Sequence, residues 1–211
     1  MTSWDLDAYA AMLDAARGRY RFVHFDHEPQ AGEIFLRHDV DLFLDAALRM
    51  AKLEAERGVT ATYFLMTRSV FYNLGSREGE AALERLRELG HAVGLHAVHP
   101  RIDFDERFDA VLAWHNPEPD YVNEPVDGLV NVMTPPWFDR EHYRSDSNQH
   151  FRSGDPTDAL ASGELEWLQL LIHPEIWAFE GGRMRETMES MLDAEREARL
   201  RQLAEDRIDL S

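Results

Sequence analysis

Two carboxylates two residues apart, Asp39 and Asp41, close an apolar run that begins at Glu33. Histidines end three more such runs: His96 after residues 92–95, His115 after 111–114 and His173 after 167–172. Asp146 follows a shorter run, 142–145. Asp and His are the ligands expected for zinc and related divalent ions, and a catalytic site leaves one position open for water. A bound metal lowers the pKa of that water and polarises a carbonyl oxygen. A neighbouring carboxylate can take the water's proton, and an imidazole can give one to a leaving amine. The inventory suits hydrolysis of an amide or ester.

The spacings divide the roles. In an extended strand, residues two apart point to the same side. Of Asp39 and Asp41, one can therefore hold the metal while the other stays free as base. Asp41 also stands where an N-cap for the following helix would stand, and for Asp41 alone both readings remain open. His96-Ala97-Val98-His99 offers two ligands if it forms a helical turn; Pro100 turns His99 away from helix and favours a loop. His91, just after Gly90, packs in the core or orients a ligand from behind. His115-Asn116-Pro117 lines a groove or forms a turn. Ser145-Asp146-Ser147-Asn148 is a polar turn or holds a group that tunes a neighbour. His173-Pro174-Glu175-Ile176-Trp177 reads as a core histidine by itself and as a site histidine in the company of the other strand ends.

These residues need elements to carry them. Residues 4–18 have a helical pattern, 20–25 form a short strand, and 33–38 form a core strand. A helix over 41–57 ends at Gly58. Strands follow at 60–66, 92–96 and 111–115, with a helix over 78–89 between the first two. Residues 116–137 hold five prolines and read as a long loop, a common home of function. A short strand over 142–145 and a core strand over 167–173 come next. A charged helix over 182–205 carries Met184, Met188 and Met191 on one side, as core packing. Strands alternating with helices predict an α/β fold with a mainly parallel sheet or barrel. In such folds the carboxyl ends of the strands gather on one face, where sites are built.

The totals narrow the rest. The chain has 211 residues, the size of one domain. Its formal net charge of -18 argues against a nucleic-acid partner. It has no cysteine, which excludes disulfides, thiol nucleophiles and thiolate metal sites. Met1-Thr2-Ser3-Trp4-Asp5 has no basic stretch followed by an apolar run, so no signal peptide is expected. No membrane span is expected either, and the expected location is the cytoplasm. The oligomeric state is left open.

Arg37-His38-Asp39-Val40-Asp41, Gly90-His91-Ala92-Val93-Gly94-Leu95-His96 and Leu171-Ile172-His173 together resemble the polysaccharide deacetylase (NodB-homology) superfamily. This is carbohydrate esterase family four, and the similarity is to its WbmS-like branch. The resemblance runs from the first strand to Trp177. It implies a distorted (β/α) barrel as a single domain over 1–211, with a core at about 20–180 and the C-terminal helix outside it. It further implies Asp39 as base, Asp41 and His96 as metal ligands, His173 as general acid and Leu171 as part of an acetyl pocket. The family's second histidine ligand stands four after the first; Pro100 holds that position here, and His99, one place short, is the candidate third ligand. The family's arginine-proline-aromatic motif is absent, and His115-Asn116-Pro117 occupies the comparable stretch. Asp146 matches the carboxylate that tunes the acid. The substrate-contact set implied is His115, Asn116, Asp146, Leu171 and Trp177. The resemblance implies one divalent ion, zinc first among the candidates, and a small-molecule or oligosaccharide substrate bearing an N-acetyl group. Two alternatives remain. One is a non-catalytic sugar-binding or scaffold protein with Trp114, Tyr121 and Trp137 stacking on sugar rings. The other is an amidohydrolase of small cyclic amides.

Overall fold

A computed structural model of the chain describes residues 3–99, 101–179 and 182–208; Pro100, which bears on His99, lies outside them. The elements in order are α1 (Leu6–Arg17), β1 (Arg21–Val23), β2 (Glu33–Val40), α2 (Leu44–Glu56), β3 (Thr62–Leu65), α3 (Arg77–Glu88), β4 (Ala92–Ala97), β5 (Val111–Trp114), β6 (Val130–Asn131), β7 (Tyr143–Ser145), α4 (Thr157–Ser162), β8 (Trp167–Ile172), α5 (Pro174–Trp177) and α6 (Met184–Glu205). The strands pair in parallel in the order β6-β5-β4-β3-β2-β8-β7, and β1 pairs with the start of β2. The sheet curls into a half-barrel, which agrees with the expected α/β class and distorted barrel.

Local chemistry explains the helix starts. Asp5 caps α1 by accepting from the Ala8 N–H, and Ser76 caps α3 by accepting from the Gly79 N–H. Gly58 follows α2 in the left-handed region at φ 65°, where a side chain would be strained. Asp41 does not cap α2: Phe43 stands at that position and makes no side-chain cap bond. The capping alternative for Asp41 therefore falls.

Strand alternation sorts the core into two faces. Leu36, His38 and Val40 of β2, Tyr63 and Leu65 of β3, Val93 and Leu95 of β4 and Leu168, Leu170 and Ile172 of β8 face the helices; their apolar members join one large core. Phe35, Phe64, Val111, Ala113 and Trp167 form a smaller apolar cluster in the hollow of the half-barrel. Space there is tight: a Cβ at Gly94 would come within 2.6 Å of Val111 and 2.8 Å of Phe64, so no larger residue fits without repacking. The same alternation carries Arg37, Asp39, His96 and Gln169 onto this inner side.

Three elements went unread in the sequence. α4 and α5 are too short for a periodic signal, and β6 is two residues within the loop over 116–137. In α6 only Thr187 and Met191 are fully buried, while Met184 and Met188 pack against the core edge. Among the described residues, no helix is long and apolar enough to cross a membrane.

Candidate metal centre

The site lies at the carboxyl ends of five strands of the sheet, two on one side of β3 and three on the other. Asp39 is near the end of β2, His96 near the end of β4, and His115, Asp146 and His173 directly follow β5, β7 and β8. β2 lies between β3 and β8, and Ala113 of β5 stands beside His96 in register. Pairing therefore brings residues more than a hundred positions apart to one edge.

Three ligand atoms form a triangle. Asp41 Oδ1 is 3.1 Å from His96 Nε2 and 3.1 Å from His115 Nδ1, and the two imidazole nitrogens are 3.1 Å apart. Among the described residues this is the group placed to hold a metal ion. Tetrahedral ligands at about 2.0–2.1 Å from zinc stand about 3.4 Å apart, so the spacing and the donor types both fit. His96 is prepared for the role: its Nδ1–H donates to the Ala113 carbonyl at 3.1 Å, which leaves the Nε2 lone pair free. The Asn116 amide is 3.2 Å from His115 Nε2. With its oxygen turned inward it accepts an Nε2–H and frees Nδ1 in the same way. Burial alone would raise the Asp41 pKa, but in the metal-free chain the neighbouring His115 and His96 imidazoles, when protonated towards it, hold it well below the usual carboxylate range.

Asp39 stands beside the triangle, with Oδ2 3.7 Å from His96 Nε2. Arg37, two positions earlier on the same side of β2, grips both its oxygens, Nε to Oδ1 at 2.7 Å and Nη2 to Oδ2 at 2.6 Å. Burial works against the charge on Asp39, and the Arg37 guanidinium more than offsets it, so the carboxylate stays ionised. On the other side, His173 Nδ1 donates to Asp146 Oδ1 at 2.6 Å. Burial alone would discharge the imidazole, but Asp146, with Asp39 and Glu175, carries its pKa up to about 10. A permanent carboxylate and a protonated imidazole thus flank the three ligands.

A cavity of about 550 Å³ opens over this edge. Asp41, His115, Asn116 and His173 line it beside an apolar wall that includes Val70, Phe71, Met184 and Met188. Glu175 also lines it, at 5% exposure, and its Oε2 has no hydrogen-bond partner. Burial raises its pKa to about 8, so the acid is neutral at pH 7. Sequence reasoning missed Glu175; the available signal was its place two residues after a strand-end histidine.

Other expected site residues fall elsewhere. His99 stands outside the triangle, because β4 runs on through Ala97 and no helical turn brings it back beside His96. Its ring stacks on Tyr121 at 3.6 Å, and Nε2 is 3.8 Å from Glu124. His115 fills the third corner. Asp146 is fully buried behind His173, where it accepts from the His173 N–H and from Trp177 Nε1 at 2.7 Å. Trp177 is buried against Trp4 and Tyr9. Neither is placed to touch a substrate; together they set the position of His173. Leu171 is buried on β8, opposite Arg37. His91 packs in the core, accepting from the Ala61 N–H and donating to the Ala51 carbonyl. Of the aromatic residues considered for sugar stacking, Trp114 is buried, Tyr121 is covered by His99, and Trp137 donates to the His27 carbonyl.

No family model, no curated protein and no solved structure matches this chain.

Proposed function

We propose that this protein is a metal-dependent deacylase that hydrolyses the N-acetyl group of a sugar or sugar-containing precursor. The observation that carries the reading is the triangle of Asp41, His96 and His115, flanked by an ionised carboxylate and a cationic imidazole, with Asp41, His115 and His173 lining one cavity. The similarity of Arg37–Asp41 and Leu171–His173 to the polysaccharide deacetylases supports it from the sequence side.

Asp41, His96 and His115 would hold a divalent ion, with zinc the best match to two nitrogens and one oxygen. When bound, it supplies Lewis acidity towards a water and an amide carbonyl. The chain supplies the rest. Each Asp39 oxygen spends one lone pair on Arg37 and retains a second, so the carboxylate can take the proton of the attacking water. His173 holds a proton across neutral pH and can deliver it from Nε2 to the departing nitrogen, while Asp146 fixes Nδ1–H and hence the ring's orientation. Water adds to the carbonyl carbon, the C–N bond breaks, and the products are acetate and the free amine. Asp146 and Arg37 act through their neighbours, as positioning residues.

The test is elemental analysis of protein purified without chelator, paired with acetate release from N-acetylated sugars. The expected result is near-stoichiometric metal, lost in Asp41→Ala and His96→Ala, with turnover lost in the same variants. Wild-type protein that takes up no metal even after zinc is added back would overturn the reading.

A further inference from the structure

A second cavity, about 410 Å³, adjoins the first. Arg140, Arg152, Tyr143, Ser145, Ser147 and Ser153 line it, with Phe138 as an aromatic wall and no acidic residue. That composition is unusual for a chain with 40 acidic and 22 basic residues. Neither Arg140 nor Arg152 has a carboxylate partner among the described residues, which is equally true of Arg77 and Arg101; what sets the two apart is that they line one cavity free of acidic side chains. Two guanidiniums and three serine hydroxyls lining one cavity are the donor set an anion needs, since the planar fork of arginine matches phosphate oxygens in pairs. An acidic surface repels anions in general, so a place that accepts one has to be built locally.

The cavity is joined to the reaction centre. Ser147 lines both spaces, and its hydroxyl is 2.7 Å from that of Ser145. Tyr143 lies close enough to Arg37 and Asp39 to feel both charges. The loop after β7 places Asp146 behind His173 and Ser147 at the shared wall. It then holds Asn148 and Gln149 in consecutive left-handed conformations, φ 59° and 53°, a strained arrangement for residues with side chains.

We infer that Arg140 and Arg152, with the serine hydroxyls, bind a phosphate or diphosphate group carried by the substrate, so that the deacylated molecule is a phosphorylated N-acyl sugar. What the phosphate is attached to rests on the deacylase reading; the anion site itself does not. Phosphate in this cavity and the acylamino group over the triangle are the two ends of one ligand bridging Ser147.

Calorimetric titration of inorganic pyrophosphate into metal-stripped protein, in the presence of chelator, tests the site without any turnover. Saturable binding is expected, weakened at least tenfold by Arg140→Ala and by Arg152→Ala, and lost in the double variant. Arg152→Lys should retain part of it, and Asp41→Ala should leave it unchanged. Both arginines are exposed, so the variants should fold; a thermal melt checks this. No saturable binding, wild-type affinity in the double variant, or inorganic sulfate bound as tightly as pyrophosphate would each overturn the inference. Acetate release from an N-acetyl sugar and its 1-phosphate separates the two readings. Pyrophosphate binding without hydrolysis of either sugar leaves this site standing and removes the deacylase. Hydrolysis with equal KM for the two sugars keeps the deacylase and overturns the inference that the bound phosphate belongs to its substrate.

Discussion

His38 and Asp39 are neighbours on β2, yet they serve two networks built from the same residue types on opposite faces of one sheet. Behind the strand, Glu54 accepts from Tyr9 at 2.6 Å and Tyr63 at 2.8 Å, and lies 2.7 Å from His38 Nε2. The other His38 nitrogen reaches the Ile172 carbonyl at 3.2 Å. His38, Glu54, Tyr9 and Tyr63 are all fully buried, and each polar atom in the group has a partner. In front of the strand, Asp41 and His115 are partly open, three ligand atoms face one another, and a cavity lies above them. Acid and imidazole content is therefore no guide to function. A closed and satisfied network holds β2 to α1, α2 and β8; an open one with lone pairs left over is a place for chemistry.

Substitutions that spare one network while damaging the other sharpen the contrast. On the open side, Asp39→Asn should lower turnover by about 10³-fold, within the usual range for losing a general base. Metal content should stay at the wild-type level; turnover near wild type would remove Asp39 as the base. On the closed side, Glu54→Ala strands two tyrosine hydroxyls and an imidazole in the core. The expected cost is about 3–5 kcal/mol in urea denaturation, with metal affinity per folded molecule unchanged. A loss under about 1 kcal/mol would mean that the reverse-face network is not what holds the strand.

A pH titration of stability separates two groups of the open side. His173 has a folded pKa of about 10, above the ordinary imidazole value of 6.5, so its stabilisation is complete below pH 6.5 and is lost as pH rises through about 10. Glu175 has a folded pKa of about 8 against 4.5. Its contribution has the same sign, present below pH 4.5 and lost as pH rises through about 8. In metal-stripped protein, Glu175→Gln should flatten the stability curve between pH 4.5 and 8, and His173→Gln should flatten it between 6.5 and 10. Curves that stay parallel to wild type in both windows would show that neither group titrates as its surroundings dictate.

Much of this was legible in the sequence because it depends on period and position. Apolar runs of strand length at 33–38 and 167–173 announce the strands, and polar residues at their ends announce the edge where they meet. The spacing of Asp39 and Asp41 alone implied that both could face one site. What the sequence withheld depends on register and on short elements. His115 joins His96 only because β5 pairs beside β4 with Ala113 against His96, a fact of the sheet and not of either segment. Glu175 is turned towards the cavity by a four-residue helix that begins at Pro174, too short to show a period. Asp146 and Trp177 carry the residue types of a binding surface, but packing behind His173 decides their use.

The smallest expected effect bears on that last difference. Sequence spacing pointed to His99 as the third ligand, and the folded chain puts His115 there. His115→Ala removes one corner of the triangle, and loss of one of three protein ligands should lower zinc affinity by about 10² or more, beyond the 10–100-fold typical of an outer-shell partner. His99→Ala removes a ring that stacks on Tyr121 and faces Glu124 near the surface. Its cost should be at most about 1 kcal/mol of stability, with zinc affinity within about twofold of wild type. Competition against a chromogenic chelator measures both variants on one scale. If His99→Ala loses the metal and His115→Ala keeps it, the local His-x-x-His spacing outranks strand register as a guide to this site, and the triangle is only a hydrogen-bonded cluster.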